Sequence, residues 1–142
     1  MHEQVGPVVV GLEGGPNDRD ALRAAFQEAE LSEQSLAPVH VTEYGFLERA
    51  DVQRLVAAEQ HRHPGVAVKV RLVRGDPTDM LVACSGKASL VVLGSRGRHE
   101  AAGLVLGSVS QGVLRRAMCP VRKHTGWCVV VPQLGETVRI DG

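Results

Sequence analysis

Strand-like and helix-like segments alternate four times along this chain of 142 residues. Short runs rich in Val and Leu predict strands at residues 7–11, 36–41, 66–73 and 90–93. Apolar residues at helical spacing predict helices at 18–30, 46–61, 77–85 and 108–118. Strands separated by helices pair in parallel through right-handed crossovers. We therefore predict an α/β fold with a single open parallel sheet and helices on both faces.

The composition narrows the class of protein further. Aromatic residues make up only 3% of the chain, so Val, Leu and Ala must form the core, as they do in parallel sheets covered by helices. A net charge of zero gives no indication of a nucleic-acid or membrane partner. Three cysteines without a C-x-x-C spacing, no signal peptide and no long apolar run predict a cytoplasmic protein, and 1–142 are expected to form a single domain.

The segment 90–110 carries glycines at a spacing that suits phosphate binding. A glycine follows the fourth predicted strand, a second comes after two residues, and a third comes nine residues later with a serine behind it: Gly94, Gly97, Gly107 and Ser108. Glycines let backbone N–H groups approach a phosphate closely. Arg96 and Arg98 supply positive charge, and the helix beginning at Ser108 offers unpaired N–H groups. We interpret the segment as a cradle for nucleotide phosphates.

A second loop is expected to face the same cradle. Open parallel sheets bind ligands at the carboxyl ends of the strands, where the strand order reverses. If strands one and four are neighbours, the loop beginning at Gly11, Leu12 and Glu13 borders that crevice. Glu13 either holds a metal ion together with the nucleotide, hydrogen-bonds the ribose, or is a solvated loop acid. The chain lacks a Walker motif and a nucleophile elbow, which predicts binding with slow hydrolysis at most and no catalytic or dedicated metal-binding residue.

These motifs resemble those of the universal stress proteins, in the subclass that binds ATP. The family's nucleotide signature is Gly, two residues, Gly, nine residues, Gly, then Ser or Thr, and it is complete here. The sequences at 75–77, 91–98, 106–110 and 119–121 also match family habit in the right order. The resemblance covers about 8–121, which is most of the chain.

The resemblance implies a Rossmann-like α/β fold with a single open parallel five-stranded sheet in the order 3-2-1-4-5. It also implies a homodimer paired through the last strand, and a bound ATP, or AMP or ADP, accompanied by Mg²⁺ or Mn²⁺. By the same resemblance Val41 packs on adenine, while Gly11, Leu12 and Glu13 lie beside the nucleoside. The phosphates and ribose are then held by Gly94, Arg96, Gly97, Gly107, Ser108, Val109 and Ser110. Arg98 is a further candidate in this loop; we expect one of the two arginines to be exposed to solvent and favour Arg96 as the one that faces the nucleotide.

Two regions depart from the family's pattern. Glu13 stands where the family usually has Asp, and Gly15 where it often has Ser. After Val121 the usual apolar strand gives way to the basic residues of 122–126, and an apolar run returns at 127–131. Either the fifth strand is displaced to 127–131, or the extension 122–142 adds a new edge or dimer strand.

Three functions follow from this sequence. The favoured one is a nucleotide-responsive regulatory module of the stress response, whose state a partner protein senses. The second is a slow ATPase or self-phosphorylating protein with Ser108 or Ser110 as the acceptor. The third is an adaptor of the same fold that binds no nucleotide because Glu13 and Gly15 alter the nucleoside end. His61 and His63 are expected to lie at a solvated helix end.

Overall fold

The computed structural model describes residues 5–12, 18–42, 49–94, 108–123, 127–131 and 136–140. Strands and helices alternate as far as residue 116, and three described strands follow. The strands are β1 (Val8–Leu12), β2 (Leu36–Thr42), β3 (Arg71–Arg74), β4 (Leu90–Leu93), β5 (Val121–Lys123), β6 (Trp127–Val131) and β7 (Glu136–Ile140). The helices are α1 (Asp18–Ser32), α2 (Arg49–Gln60), α3 (Pro77–Ser85) and α4 (Ser108–Arg116).

The first five strands form one parallel sheet in the order β3-β2-β1-β4-β5, so the predicted fold and strand order are confirmed. The chain first adds β2 and β3 on one side of β1, then crosses over to add β4 and β5 on the other. Gly11 of β1 lies in register with Leu93 of β4. The strand order therefore reverses between β1 and β4, which places their carboxyl ends at the point where open α/β sheets bind ligands.

Each face of the sheet carries its own core, because side chains alternate between faces along a strand. One face presents Val8, Val10 and Val92 and packs with residues of α1 and α2, including the fully buried Phe26. The other face presents Val9, Val91 and similar residues. These pack with Leu81 of α3 and Val113 of α4. The central strands are thus buried on both sides, as their continuous apolar runs predict.

The third strand is shorter than the sequence predicts, and a proline explains why. The expected strand 66–73 reduces to β3 at Arg71–Arg74, preceded by an isolated bridge between Leu36 and Val68. Leu36 forms two backbone hydrogen bonds with this segment: its carbonyl oxygen accepts from Lys69 N at 2.9 Å, and its N–H donates to Ala67 O at 2.8 Å. Two residues later, the backbone of Pro38 is directed toward the same neighbouring segment. Proline has no N–H to donate, so the hydrogen bonds between β2 and this segment are interrupted there.

The predicted helices differ from the observed ones at their ends. α1 continues past 30 to Ser32 and stops where Glu33 adopts a positive φ of 57°. Helix α4 ends at Arg116, before 118, because Met118 donates its backbone N–H to the Ser85 hydroxyl at 2.9 Å instead of continuing the helix. Helix α2 runs from Arg49 to Gln60, and 46–48 of the predicted helix lie outside the described residues.

Helices α3 and α4 are fixed to each other by contacts along their length. Asp76 caps α3: its side chain accepts a 3.0 Å hydrogen bond from the backbone N–H of Asp79. Gly112 of α4 approaches Thr78 so closely that a Cβ at Gly112 would lie 2.4 Å from Thr78 Cγ2. Arg116 of α4 also pairs with Asp79 at 2.9 Å. These contacts set where the first turn of α4 lies relative to the sheet.

The C-terminal tail adopts one of the two strand arrangements that the sequence leaves open. The fifth strand of the main sheet is Val121–Lys123, so 127–131 does not replace it. Instead β6 pairs antiparallel with β7 in a separate two-stranded sheet. Arg122 anchors β5 to α1 through a 2.8 Å ion pair with Glu28, and burial lowers the pKa of the Arg122 guanidinium while Glu28 raises it.

Among the helices described, none is long and apolar enough to cross a membrane.

Candidate functional site

A cavity of about 100 Å³ lies at the carboxyl ends of β1 and β4. Its floor comes from the strand ends, and its walls come from the first turns of α3 and α4. The described lining residues are Gly11, Leu12, Val39, Val41, Pro77, Leu81, Leu93, Gly94, Val109 and Ser110. The cavity therefore sits at the reversal of strand order, where the parallel topology directs a ligand.

The structure brings together residues that the sequence picks out from three separate segments. Those that line the cavity are Gly11, Leu12, Val41, Gly94, Val109 and Ser110. Ser108 begins α4, whose first turn borders the cavity through Val109 and Ser110. The remaining predicted site residues lie outside the described residues: Glu13, Arg96, Gly97, Arg98 and Gly107.

The cavity combines apolar walls with a polar end. Val39, Val41 and Leu93 are at most 9% exposed and present only hydrocarbon. Ser110, on the first turn of α4, adds a hydroxyl-bearing residue to the lining and is 5% exposed. The first backbone N–H groups of a helix have no partner within the helix and attract anions. Such a pocket suits a ligand with a flat apolar part and an anionic part.

Gly11 keeps the floor of this cavity open. A Cβ at this position would lie 3.0 Å from Leu81 Cδ1 and 3.3 Å from Leu93 Cδ2. Real Cβ contacts are rarely this short, so any larger residue must displace the leucine that forms the cavity wall. The glycine at the end of β1 is thus required by the close approach of α3, which the sequence alone does not reveal.

His40 orients the end of β1, and sequence reasoning missed it. Its side chain is on the opposite face of β2 from Val39 and Val41, it is 3% exposed, and its Nδ1 lies 2.9 Å from the backbone oxygen of Leu12. A carbonyl oxygen only accepts, so Nδ1 carries the proton and donates. The signal in the sequence is a lone histidine within an apolar strand.

The sequence analysis did not predict the other lining residues, because strand pairing and the rotation of a helix about its axis determine which residues face the cavity. Val39, Leu93, Pro77 and Leu81 border the cavity, although their sequence positions mark them only as core or helix residues. The face that α3 turns toward the sheet depends on its crossing with α4. No periodic pattern in nine residues gives that crossing.

Two titratable groups away from the cavity, Cys119 and His63, have structural roles. Cys119 is buried, and burial raises the pKa of its thiol to about 12, which keeps it protonated at neutral pH. His63 is not solvated as expected, because it stacks on Phe26 at a ring distance of 5.3 Å and its Nδ1 lies 3.2 Å from Glu30. In the part of the chain that the structure describes, no group of three His, Cys, Asp or Glu side chains is placed to hold a metal ion.

Comparison with known proteins identifies the family. The sequence profile of the universal stress protein family matches residues 45–122, more than half of the chain. The chain belongs to the universal stress protein family. The matched region includes β3, α3, β4 and α4, and therefore most of the elements around the cavity.

Relatives of this universal stress protein chain occur among mycobacterial proteins. Universal stress protein Rv2005c of Mycobacterium tuberculosis is 38% identical, over 83% of this chain and 45% of the relative. Universal stress protein Rv2623 of the same species is 35% identical, over 84% of this chain and 45% of the relative. The chain thus spans about half the length of the curated relatives it matches.

Solved structures of universal stress proteins share the fold. A crystal structure of a universal stress protein in complex with cAMP superimposes with a TM-score of 0.71 at 29% identity, covering 84% of this chain and 96% of the other. A protein of the family from Burkholderia pseudomallei superimposes with a TM-score of 0.62 at 27% identity, covering 87% and 98%.

Proposed function

We propose that this universal stress protein chain binds an adenine nucleotide in the cavity at the ends of β1 and β4, and acts as a nucleotide-responsive regulatory module. One observation carries the proposal. Residues from the end of β1, the end of β2, the end of β4 and the first turn of α4 line a single cavity. The sequence motifs, together with the family resemblance that gives Val41, predict nucleotide-binding residues at all four places.

The cavity's chemistry fits the two ends of a nucleotide. Val39 and Val41 offer an apolar surface for a purine ring, whose burial is favourable by about 25 cal/mol per Å². Gly94 leaves room for close backbone approach, and the first turn of α4 offers N–H groups to a phosphate. Arg96 and Arg98 are the cations that we assign to the phosphates, and Glu13 is the acid that we assign to the ribose. When bound, the nucleotide supplies phosphate oxygens that Mg²⁺ or Mn²⁺ can coordinate.

The solved relative in complex with cAMP supports the proposal, because it shares this fold at 29% identity. We assign ATP as the ligand, with AMP and ADP as the alternatives, because the complete glycine signature ends at the phosphate-facing helix. A ligand that binds only the folded state stabilises it by about 2.7 kcal/mol at a hundredfold excess over Kd. Such a shift is large enough for a partner protein to sense.

The test begins with the purified protein. We expect nucleotide in the supernatant of denatured protein on anion-exchange chromatography, and a micromolar Kd for Mg-ATP by calorimetry. Gly11→Ala should weaken binding about tenfold, since a Cβ there pushes Leu81 into the cavity, and tenfold corresponds to about 1.4 kcal/mol. Gly65→Ala is the matched control, because a Cβ at Gly65 meets nothing within 4 Å.

Two results would reject nucleotide binding in this cavity. Absence of both co-purified nucleotide and calorimetric heat would favour the adaptor of the same fold. Equal weakening by Gly11→Ala and Gly65→Ala would place the ligand elsewhere. Arg96→Ala and Gly107→Val extend the test to the glycine-spaced loop, and both are expected to abolish binding.

Slow phosphoryl transfer is the second candidate, because the Ser110 hydroxyl borders the cavity. In self-phosphorylation, the Ser110 oxygen would form a bond to the γ-phosphorus, ADP would leave, and the serine proton would pass to solvent. Incorporation of labelled γ-phosphate that is lost in Ser110→Ala, with unchanged Mg-ATP affinity, would establish this activity. Release of inorganic phosphate without labelling would indicate hydrolysis instead.

We further infer that the chain works as a cytoplasmic homodimer in a stress response. Light scattering on the full chain, with and without Mg-ATP, tests the assembly. A variant truncated after Lys123 tests whether β6 and β7 contribute to it. A monomer at all concentrations would reject the dimer without bearing on nucleotide affinity.

A further inference from the structure

A second and larger cavity, of about 670 Å³, lies on the β3 side of α3. We call it the α3–β3 groove. Its floor includes Ala37, Val39 and Val73, and its wall is the side of α3 that carries Met80, Ala83 and Cys84. A five-stranded sheet is about 24 Å wide, and two helices of about 10 Å diameter do not cover it. The groove is the part of this sheet face that α3 and α4 leave open.

The rim of the α3–β3 groove is positively charged. Lys69, Arg71 and Lys87 line it and are exposed. Arg71 lies against the groove wall, with Nη1 4.0 Å from Cys84 Sγ. Among the described residues, no carboxylate belongs to the lining, and none forms an ion pair with any of these cations. An apolar floor beneath an uncompensated cationic rim is complementary to an anionic amphiphile.

The groove is distinct from the cavity at the ends of β1 and β4. Pro77 and Leu81 of α3 face that cavity, whereas Met80 and Cys84 face the groove. The two therefore occupy neighbouring sides of one helix, and Val39 of β2 reaches both floors. The described lining residues of the groove include no glycine and no helix N-terminus, the two features that suit the first cavity to phosphates.

We propose that the α3–β3 groove binds a single fatty acid from solution. The acyl chain lies along Ala37, Val73 and Ala83, and the carboxylate meets the cationic rim. The volume of the groove falls within the range of about 300–1,000 Å³ that small-molecule sites occupy. Most of the affinity comes from burying methylene groups, and the cations select the acid over neutral analogues.

The experiment uses the full chain and the fluorescent fatty acid 11-(dansylamino)undecanoic acid. We expect its emission to rise on binding, and dodecanoic acid below its micellar concentration to displace it. Dodecan-1-ol should compete about tenfold less well, because it keeps the chain and removes the charge. Alkylation of Cys84 in a Cys128→Ser background gives a second readout, and dodecanoic acid should slow it.

Matched variants locate the site. Ala83→Glu places a carboxylate on the groove wall and should weaken binding about tenfold, whereas Ala57→Glu makes the same change at an exposed position of α2 and should leave it unchanged. Lys87→Gln removes one rim charge and should weaken binding about threefold, with Arg62→Gln as its control.

Several outcomes would overturn the proposal. These are no fluorescence change with the probe, equal competition by the alcohol and the acid, equal losses in the control variants, or no protection of Cys84. Binding to vesicles of phosphatidylglycerol without binding of monomeric dodecanoic acid would also reject it, and would assign the rim to a membrane surface. Calorimetry with Mg-ATP reports on the other cavity, so the failure of either proposal is separately visible.

Discussion

The contact between Gly112 and Thr78 makes a signed prediction about stability. Gly112 lies in the interior of α4, where replacing glycine by alanine normally stabilises a helix by about 0.5–1 kcal/mol. Here the new Cβ would lie 2.4 Å from Thr78 Cγ2, closer than real Cβ atoms approach. Overpacking of this kind costs about 1–3 kcal/mol. We therefore expect Gly112→Ala to lower the free energy of unfolding by about 1 kcal/mol.

Removing the obstructing methyl group should reverse the sign. Thr78→Ser deletes Cγ2 and leaves Oγ1, which lies 3.3 Å from the position of the new Cβ. In the Thr78→Ser background the clash is relieved and only the helix preference remains, so Gly112→Ala should stabilise by about 0.5 kcal/mol. The coupling energy between the two sites is then about 1–2 kcal/mol, well above the roughly 0.3–0.5 kcal/mol seen for independent sites.

The assay is equilibrium urea unfolding of the wild type, the two single variants and the double variant. Gly65→Ala is the control for a glycine substitution in open space. Equal m-values across the set are needed for the free energies to be compared. Additive single effects, or a stabilising Gly112→Ala in the wild-type background, would refute the idea that this contact sets the crossing of α3 and α4.

Three further predictions concern the packing around the site. Asp76→Ala should lower the free energy of unfolding by about 1 kcal/mol through loss of the α3 cap, whereas Asp76→Asn should not; urea unfolding separates them, and equal losses would contradict the cap. The pKa of the Cys119 thiol rises from 9.0 to about 12 on folding, so above pH 9 the unfolded state loses this proton first. The free energy of unfolding should therefore fall between pH 9 and pH 12, by up to about 1.4 kcal/mol per pH unit. Cys119→Ala should flatten this part of the plot of unfolding free energy against pH, and an unchanged slope would count against the shift. His63→Ala should cost about 1 kcal/mol by removing the stack on Phe26, while His61→Ala, at an exposed position, should cost little; similar losses would show that the stack contributes nothing.

The sequence predicts the order of elements and the sheet because both rest on strong local signals. Apolar strands such as β1 and β4 admit one interpretation, and the cap at Asp76 with Pro77 behind it marks the start of α3 to the residue. The strand order 3-2-1-4-5 came from the family resemblance and is confirmed. Part of the candidate site follows directly, because the carboxyl ends of neighbouring parallel strands must meet at one edge.

What the sequence does not predict depends on contacts between distant segments. The alternation at 66–73 indicates a full strand, but its ladder depends on the missing N–H of Pro38 in another strand. The prediction that His63 is solvated is wrong for a similar reason, because its contacts Phe26 and Glu30 belong to α1, which is distant in the sequence. Leu81 joins the cavity only through the crossing of α3 over the sheet. The roles of Glu13, Arg96, Gly97, Arg98 and Gly107 stay predictions.

The lengths of the strands bear on how this sheet meets other chains. Its longest strand, β2 with seven residues, is enclosed between neighbours, while the outer strands β3 and β5 have four and three. A foreign strand that added to either edge would find a ladder of only those few residues, which is one way that proteins discourage aggregation through open sheet edges. Any stable partner at these edges must therefore be held chiefly by its side chains.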